Sequence, residues 1–257
     1  MRSKWLALTA ILMISGILLA QQPIQIQAGD KLDQLLANWE KAMTSVQSLL
    51  AYVTRTTTDK VFQSTEVFEG TAKFLKSGQA GQPSRASLEM KKKGRPEIYE
   101  KFICTGTFLY EFAPQDKVIR IHELPPPKSG QMADDNFLSF LFGMKAADAK
   151  KKYKLTYVPA PPDDKWYSYV KIEPIDVADK ADFNEAQLVL TNSTSLPRRL
   201  WFRQSNGNEV TWDFPKMISG GDIRATEFAQ PALPASDWRY VRVPRENGPR
   251  VVRPQGK

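Results

Sequence analysis

The chain has 257 residues, a single histidine, a single cysteine and a formal net charge of +8. One cysteine excludes an internal disulfide, one histidine and one cysteine cannot furnish a usual zinc site, and the length suits one domain with a real core. The moderate basic charge suits anionic membrane faces or acidic partners without naming a ligand.

The chain begins Met1-Arg2-Ser3-Lys4 and runs apolar from Trp5 to Ala20. This pattern predicts a secretory signal peptide over 1–20, cleaved after Ala20, with cleavage near Ala28 or an uncleaved anchor as alternatives. The run is shorter than the roughly 20 residues that comfortably span a bilayer. The expected location is therefore the periplasm. Residues 21–30 read as a linker.

Leu32, Leu35, Leu36, Trp39, Met43, Val46 and Leu49 recur at spacings of three and four, which predicts an amphipathic helix capped by Asp30. Leu50–Thr58 reads as a strand. From Glu66 to Phe74 the sequence alternates, placing Phe68, Gly70, Ala72 and Phe74 on one face, with Gly70 expected to mark a bulge or sharp bend. Ala86, Leu88 and Met90 form a further one-sided strand before the charged turn Lys91–Gly94. Ile98–Cys104, Phe108–Phe112 and Lys117–Leu124 read as three more strands, stopped by Pro125–Pro127.

Asp134 or Asp135 can cap a helix bearing Phe137, Phe140, Leu141 and Met144, which Ala146–Lys152 continues or restarts. Strands return at Tyr153–Val158 and Trp166–Glu173. A meander follows over 183–214, pairing Leu188 and Leu190, then Leu200 and Phe202, then Val210, Trp212 and Phe214 on successive apolar faces. Asn206-Gly207 is expected to supply a type I′ turn, which needs φ > 0 at both central positions. Asp222–Ala229 reads as one more strand, and the Arg- and Pro-rich stretch 239–257 as a loose basic tail. The elements predict one α+β domain over 31–238, a strongly curved antiparallel sheet of about 10–11 strands with helices against its concave face.

Catalytic chemistry is scarce. His122 lies inside an alternating strand and reads as a solvent or edge histidine. Neither GxGxxG nor GxxxxGK[ST] occurs. Asp134-Asp135 and Asp163-Asp164 are adjacent pairs that suit capping and loop solvation better than acid/base work. No catalytic residue, metal or cofactor is assigned. The runs Lys91–Lys93 and Lys150–Lys152 read as solvated faces, with docking on acidic lipid headgroups or an envelope protein as the second reading. Nucleic acid is not an expected partner of an exported chain.

The aromatic and aliphatic residues carry the signal. Phe68, Phe74, Leu88, Met90, Phe108, Tyr110, Leu200, Phe202 and Trp212 are assigned to the inward face of the sheet, with Phe137, Phe140, Leu141 and Met144 as a lid. They form either an ordinary filled core or a partly filled cavity for acyl chains. A chain of about 16 carbons would gain up to about 12 kcal/mol there at roughly 0.8 kcal/mol per methylene.

The order of elements resembles the LolA/LolB-like outer-membrane lipoprotein carrier superfamily over residues 31–238. The resemblance rests on Leu32–Met43 with the following Leu49–Thr54, on Thr105–Val118, on Phe137–Gly143 at the place of a lid helix, and on Pro197–Gln204, Trp212–Pro215 and Ala225–Pro231 as the closing strands. The segment Lys91–Glu97 and the basic tail depart from the pattern, and Arg85 has no clear counterpart to the arginine that latches the lid in lipoprotein carriers. These departures point to a divergent secreted branch, with a planctomycete type among the candidates. The resemblance implies an incomplete antiparallel β-barrel with an N-terminal helix and a helical lid over a hydrophobic cavity. It further implies a non-enzymatic carrier of lipid or acylated lipoprotein. The alternative is an envelope module that senses lipid or binds a protein with the same half-barrel, without transport.

Overall fold

The spacing of Leu36, Trp39 and Met43 becomes, in the computed structural model of the protein, the buried side of α1 (Ala28–Ser45). The structure describes residues 28–77, 83–124, 145–177, 179–234 and 236–244. The expected signal peptide and lid helix, with Phe137, Phe140, Leu141 and Met144, lie outside those residues. After α1 come β1 (Ser48–Asp59), β2 (Ser64–Leu75), β3 (Arg85–Lys92), β4 (Arg95–Cys104), β5 (Phe108–Ala113) and β6 (Val118–Glu123). A short helix α2 (Ala146–Lys152) leads into β7 (Tyr153–Val158), β8 (Tyr167–Pro174), β9 (Glu185–Thr191), β10 (Pro197–Arg203), β11 (Glu209–Ser219) and β12 (Arg239–Val243). Among the described residues no helix is long and apolar enough to cross a membrane.

The twelve strands form one curved, unclosed sheet in the order β12-β6-β5-β4-β3-β2-β1-β11-β10-β9-β8-β7. The α+β incomplete barrel with an N-terminal helix is thus present. One pairing departs from the antiparallel expectation: β12 runs parallel to β6, so the sheet is mixed. This strand falls within the stretch expected to be a loose tail. Asp222–Ala229 is not a strand but a loop ending in a 3-10 turn, Ala225–Phe228.

Residues directly opposite one another on paired strands share a face, so the register assigns every side chain. Leu49, Ala51, Val53 and Arg55 of β1 share a face with Phe74, Ala72, Gly70 and Phe68 of β2, and with Met90, Leu88 and Ala86 of β3. On the other side of β1 the same face carries Val210 and Trp212, then Leu200 and Phe202, Leu188 and Ala186, and Val170 and Ile172. This is the inner face, which α1 covers, and its buried residues form the main core with Leu36, Trp39 and Met43. Ala146, at the start of α2, donates its N–H to the Glu40 carboxylate of α1 at 3.0 Å. Lys145 provides no side-chain cap, so the first helix caps the second.

A second core lies on the outer face. Ile103, Tyr110, Phe112 and Ile119 are covered there by Phe228 and by Ile223, Leu233, Trp238 and Tyr240 of the segment that returns to form β12. Trp238 meets the Phe112 ring edge-on at 5.9 Å, and the Tyr240 hydroxyl donates to the Pro231 carbonyl at 2.9 Å. Both contacts fasten the segment.

Two local expectations change. Gly70 marks no bulge: it is paired in register with Val53 and Met90. A Cβ there would lie 1.9 Å from the Glu89 carbonyl oxygen, so the glycine permits a close backbone approach. The irregularity lies instead in the β1–β11 pairing, between Tyr52 and Thr54. The β10–β11 turn is not type I′, because only Gly207 has positive φ (86°), and its N–H closes the turn on the Gln204 carbonyl at 3.0 Å.

Candidate functional site

The inner face divides into two halves. Over β1, β2 and β7–β11 it is filled by α1, and Leu49, Leu188, Leu190 and Leu200 are essentially inaccessible; Met90 of β3 is buried in the same core. The cavity that Leu49, Ala51, Ala72, Phe74, Phe214 and Met217 line there has about 10 Å³. That is room for about one water, not an acyl chain. Between the buried Met90 of β3 and Val118 of β6, the inner face carries Leu88, Ile98, Phe102 and Leu109, all half-buried. Phe102 and Leu109 belong to neither buried cluster.

The expected site residues are distributed unevenly over this frame. Phe68, Phe74 and Met90 are buried on the inner face, as is Leu200; Leu88, Phe202 and Trp212 are half-buried on the same face. Phe108 and Tyr110 lie on the opposite, outer face, where Tyr110 is buried in the second core and Phe108 packs against it. Strand β4 explains the difficulty. Ile98, Phe102 and Cys104 alternate with Tyr99, Lys101 and Ile103, so both faces are partly apolar and periodicity does not choose between them. The residues missed by the sequence reading are Ile98, Phe102 and Leu109.

Two polar clusters border the apolar row. Arg55 of β1 donates from Nη1 and Nη2 to the two carboxylate oxygens of Glu100 on β4, each at 2.7 Å. In a flat sheet these strands would stand roughly 14 Å apart; the side chains meet because the sheet curls toward its inner face. The guanidinium also stacks over Phe68 at 4.7 Å and Trp212 at 5.5 Å. Its Nε is buried without a hydrogen-bond partner among the described residues. Further along, Glu111 receives Arg120 at 3.0 Å and lies 2.9 Å from His122 Nε2. The hydrogen bond from His122, reinforced by Arg120, holds the Glu111 carboxyl below its ordinary range. Burial pushes the nearby Cys104 thiol up, away from the reactive thiolate form.

The buried ion pair predicts an asymmetric result. Removing Glu100 strands a cation that is only 9% exposed, so Glu100→Ala is expected to cost about 2–3 kcal/mol in chemical denaturation. Arg55→Met leaves Glu100 able to reach water and keeps the packing on Phe68 and Trp212. It should cost less than about 1.5 kcal/mol.

On the outer face a shallow depression of about 430 Å³ is lined by Thr56, Gln187, Arg199, Trp201, Thr211 and Asp213. Its carboxylate is neutralised by Arg199 at 2.8 Å and Arg198 at 3.1 Å. Among the described residues no group of three or more His, Cys, Asp or Glu side chains is placed to hold a metal ion.

No family model and no curated protein matches the chain. Solved structures are similar to it. An uncharacterized conserved protein from Thermus thermophilus matches at 10% identity over 83% of this chain and 99% of its own, with a TM-score of 0.48. A chain of the Pseudomonas aeruginosa MucA/MucB complex matches at 12% identity over 78% of this chain, with a TM-score of 0.44, and this chain spans 61% of its length. A LolA superfamily protein from Nitrosomonas europaea matches at 10% identity, covering 77% of this chain and 97% of its own, with a TM-score of 0.35.

Proposed function

We propose that the protein is a non-enzymatic, exported binder of lipids or lipidated molecules, and that the apolar part of its ligand lies along the inner face of β3–β6. The observation that supports this reading is the contrast between the two halves of that face. Beside a core packed to exclusion of water, Leu88, Ile98, Phe102 and Leu109 form an apolar row in which no side chain is fully buried. An apolar surface with a few convergent polar groups at its margin is the usual make-up of a small-molecule site. Arg55–Glu100 and Glu111–Arg120–His122 are the polar groups here.

A titration with a fluorescent long-chain fatty acid, on protein recovered from the periplasm and stripped of lipid, tests the reading. Saturable uptake is expected, and Phe102→Glu should weaken it by at least about tenfold, because a charge would then face the acyl chain. Absence of uptake by the wild-type protein, or uptake indifferent to Phe102→Glu and Leu109→Ser, would sink it.

A further inference from the structure

Seven large apolar side chains stand out into solvent among the described residues, and four of them gather at one rim of the sheet. Val61 and Phe62, 75% and 80% exposed, occupy the β1–β2 turn, while Ile175 and Val177, 51% and 82% exposed, follow β8. Strand directions put these turns together. β1 and β8 end at the same edge of the sheet, with the polar β10–β11 hairpin between them. Both basic runs reach this rim as well, Lys91–Lys93 at the β3–β4 turn and Lys150–Lys152 at the entry to β7.

The β1–β2 tip is held in its exposed form. Asp59 Oδ1 accepts the N–H groups of Val61 at 2.8 Å and Phe62 at 2.9 Å. Asn208 Oδ1 accepts the Lys60 N–H at 3.0 Å, and Asn208 Nδ2 donates to Asp59 Oδ2 at 3.2 Å. Gln63 takes a left-handed φ of 50° to close the turn. The backbone polar groups are thus satisfied inward, and two apolar side chains are presented outward at no further ordering cost.

Lys60 and Lys93 also stand at this rim, paired with Glu209 at 3.2 Å and Glu69 at 2.9 Å. The tips sit on separate hairpins, with a polar turn rather than an apolar groove between them. A fluid apolar phase accepts separated tips without a complementary mould, and the lysines of the two runs can exchange their carboxylate partners for anionic headgroups.

We propose that this rim docks the protein on an anionic phospholipid surface, with Val61, Phe62 and Val177 entering the boundary between headgroups and acyl chains. The docking is independent of the inner-face site and goes beyond ligand binding there.

Co-sedimentation with phosphatidylcholine vesicles, with and without phosphatidylglycerol, tests the proposal. The wild-type protein should bind the phosphatidylglycerol vesicles, and added salt should weaken binding by screening. The double variant V61S/F62S should lose about tenfold or more in partitioning. Trp166→Ser, an exposed position at the opposite rim, should change it less than about twofold. Melting curves and fatty-acid uptake of the double variant should match the wild type, which separates a docking defect from a failure of the inner-face site. Absence of binding to phosphatidylglycerol vesicles, equal binding to pure phosphatidylcholine, or an equal loss in Trp166→Ser would each overturn the proposal.

Discussion

Trp39→Ala should lower the stability of the folded protein by about 3–5 kcal/mol, measured by denaturant unfolding. Trp39 is fully inaccessible at the centre of α1, facing the inner sheet. Its removal opens a cavity between the helix and strands whose own neighbours, Leu188, Leu190 and Leu200, are 1% exposed or less. A close-packed wall of this kind relaxes little around a void, so the cavity term adds to the lost transfer energy. In a domain of this size the effect corresponds to a drop in melting temperature of roughly 10 °C. A loss below about 1 kcal/mol would mean that α1 is not seated on the sheet as described.

Phe228→Ala is expected to cost a similar amount, about 3–5 kcal/mol, from the other side of the sheet. Phe228 is 1% exposed and is the keystone of the second core, between Ile103, Tyr110, Phe112 and Ile119. Its 3-10 turn is pinned by Glu227, which accepts both the Arg224 N–H at 3.1 Å and the Lys73 ammonium at 2.5 Å. Those two bonds hold the Glu227 carboxyl below its ordinary range. The consequence for function should be the reverse of that for stability. Below the unfolding transition, fatty-acid affinity should stay within about twofold of the wild type, since the outer core does not face the inner row. A large loss of affinity without unfolding would bring Phe108 and Tyr110 back into the ligand site.

The pair of predictions turns on a distinction that periodicity cannot supply. Alternation shows that Phe108, Tyr110 and Phe112 share a face, and they do. It does not say which face, because on β4–β6 both are apolar: one toward the inner row, the other toward the segment 223–240. That segment is remote in sequence and carries exposed arginines. Its strand Arg239–Val243 pairs at the sheet edge with only Tyr240 and Val243 partly covered, which gives weak local signal. Arg55 is hidden for a related reason. It sits in a run of threonines whose local pattern names no partner, and only the curl of the sheet brings Glu100 to it.

The opening helix, the type and order of nearly all the strands and the meander over 183–214 are legible in the residues alone. These follow from composition and from local spacing, where one-sided burial leaves a period of two or of 3.6. Which apolar row faces α1, the parallel pairing of the last strand, and the meeting of two basic runs and two apolar tips at one rim emerge only on folding. Each of these depends on contacts between residues far apart in the chain, and a local period carries no record of its distant partner.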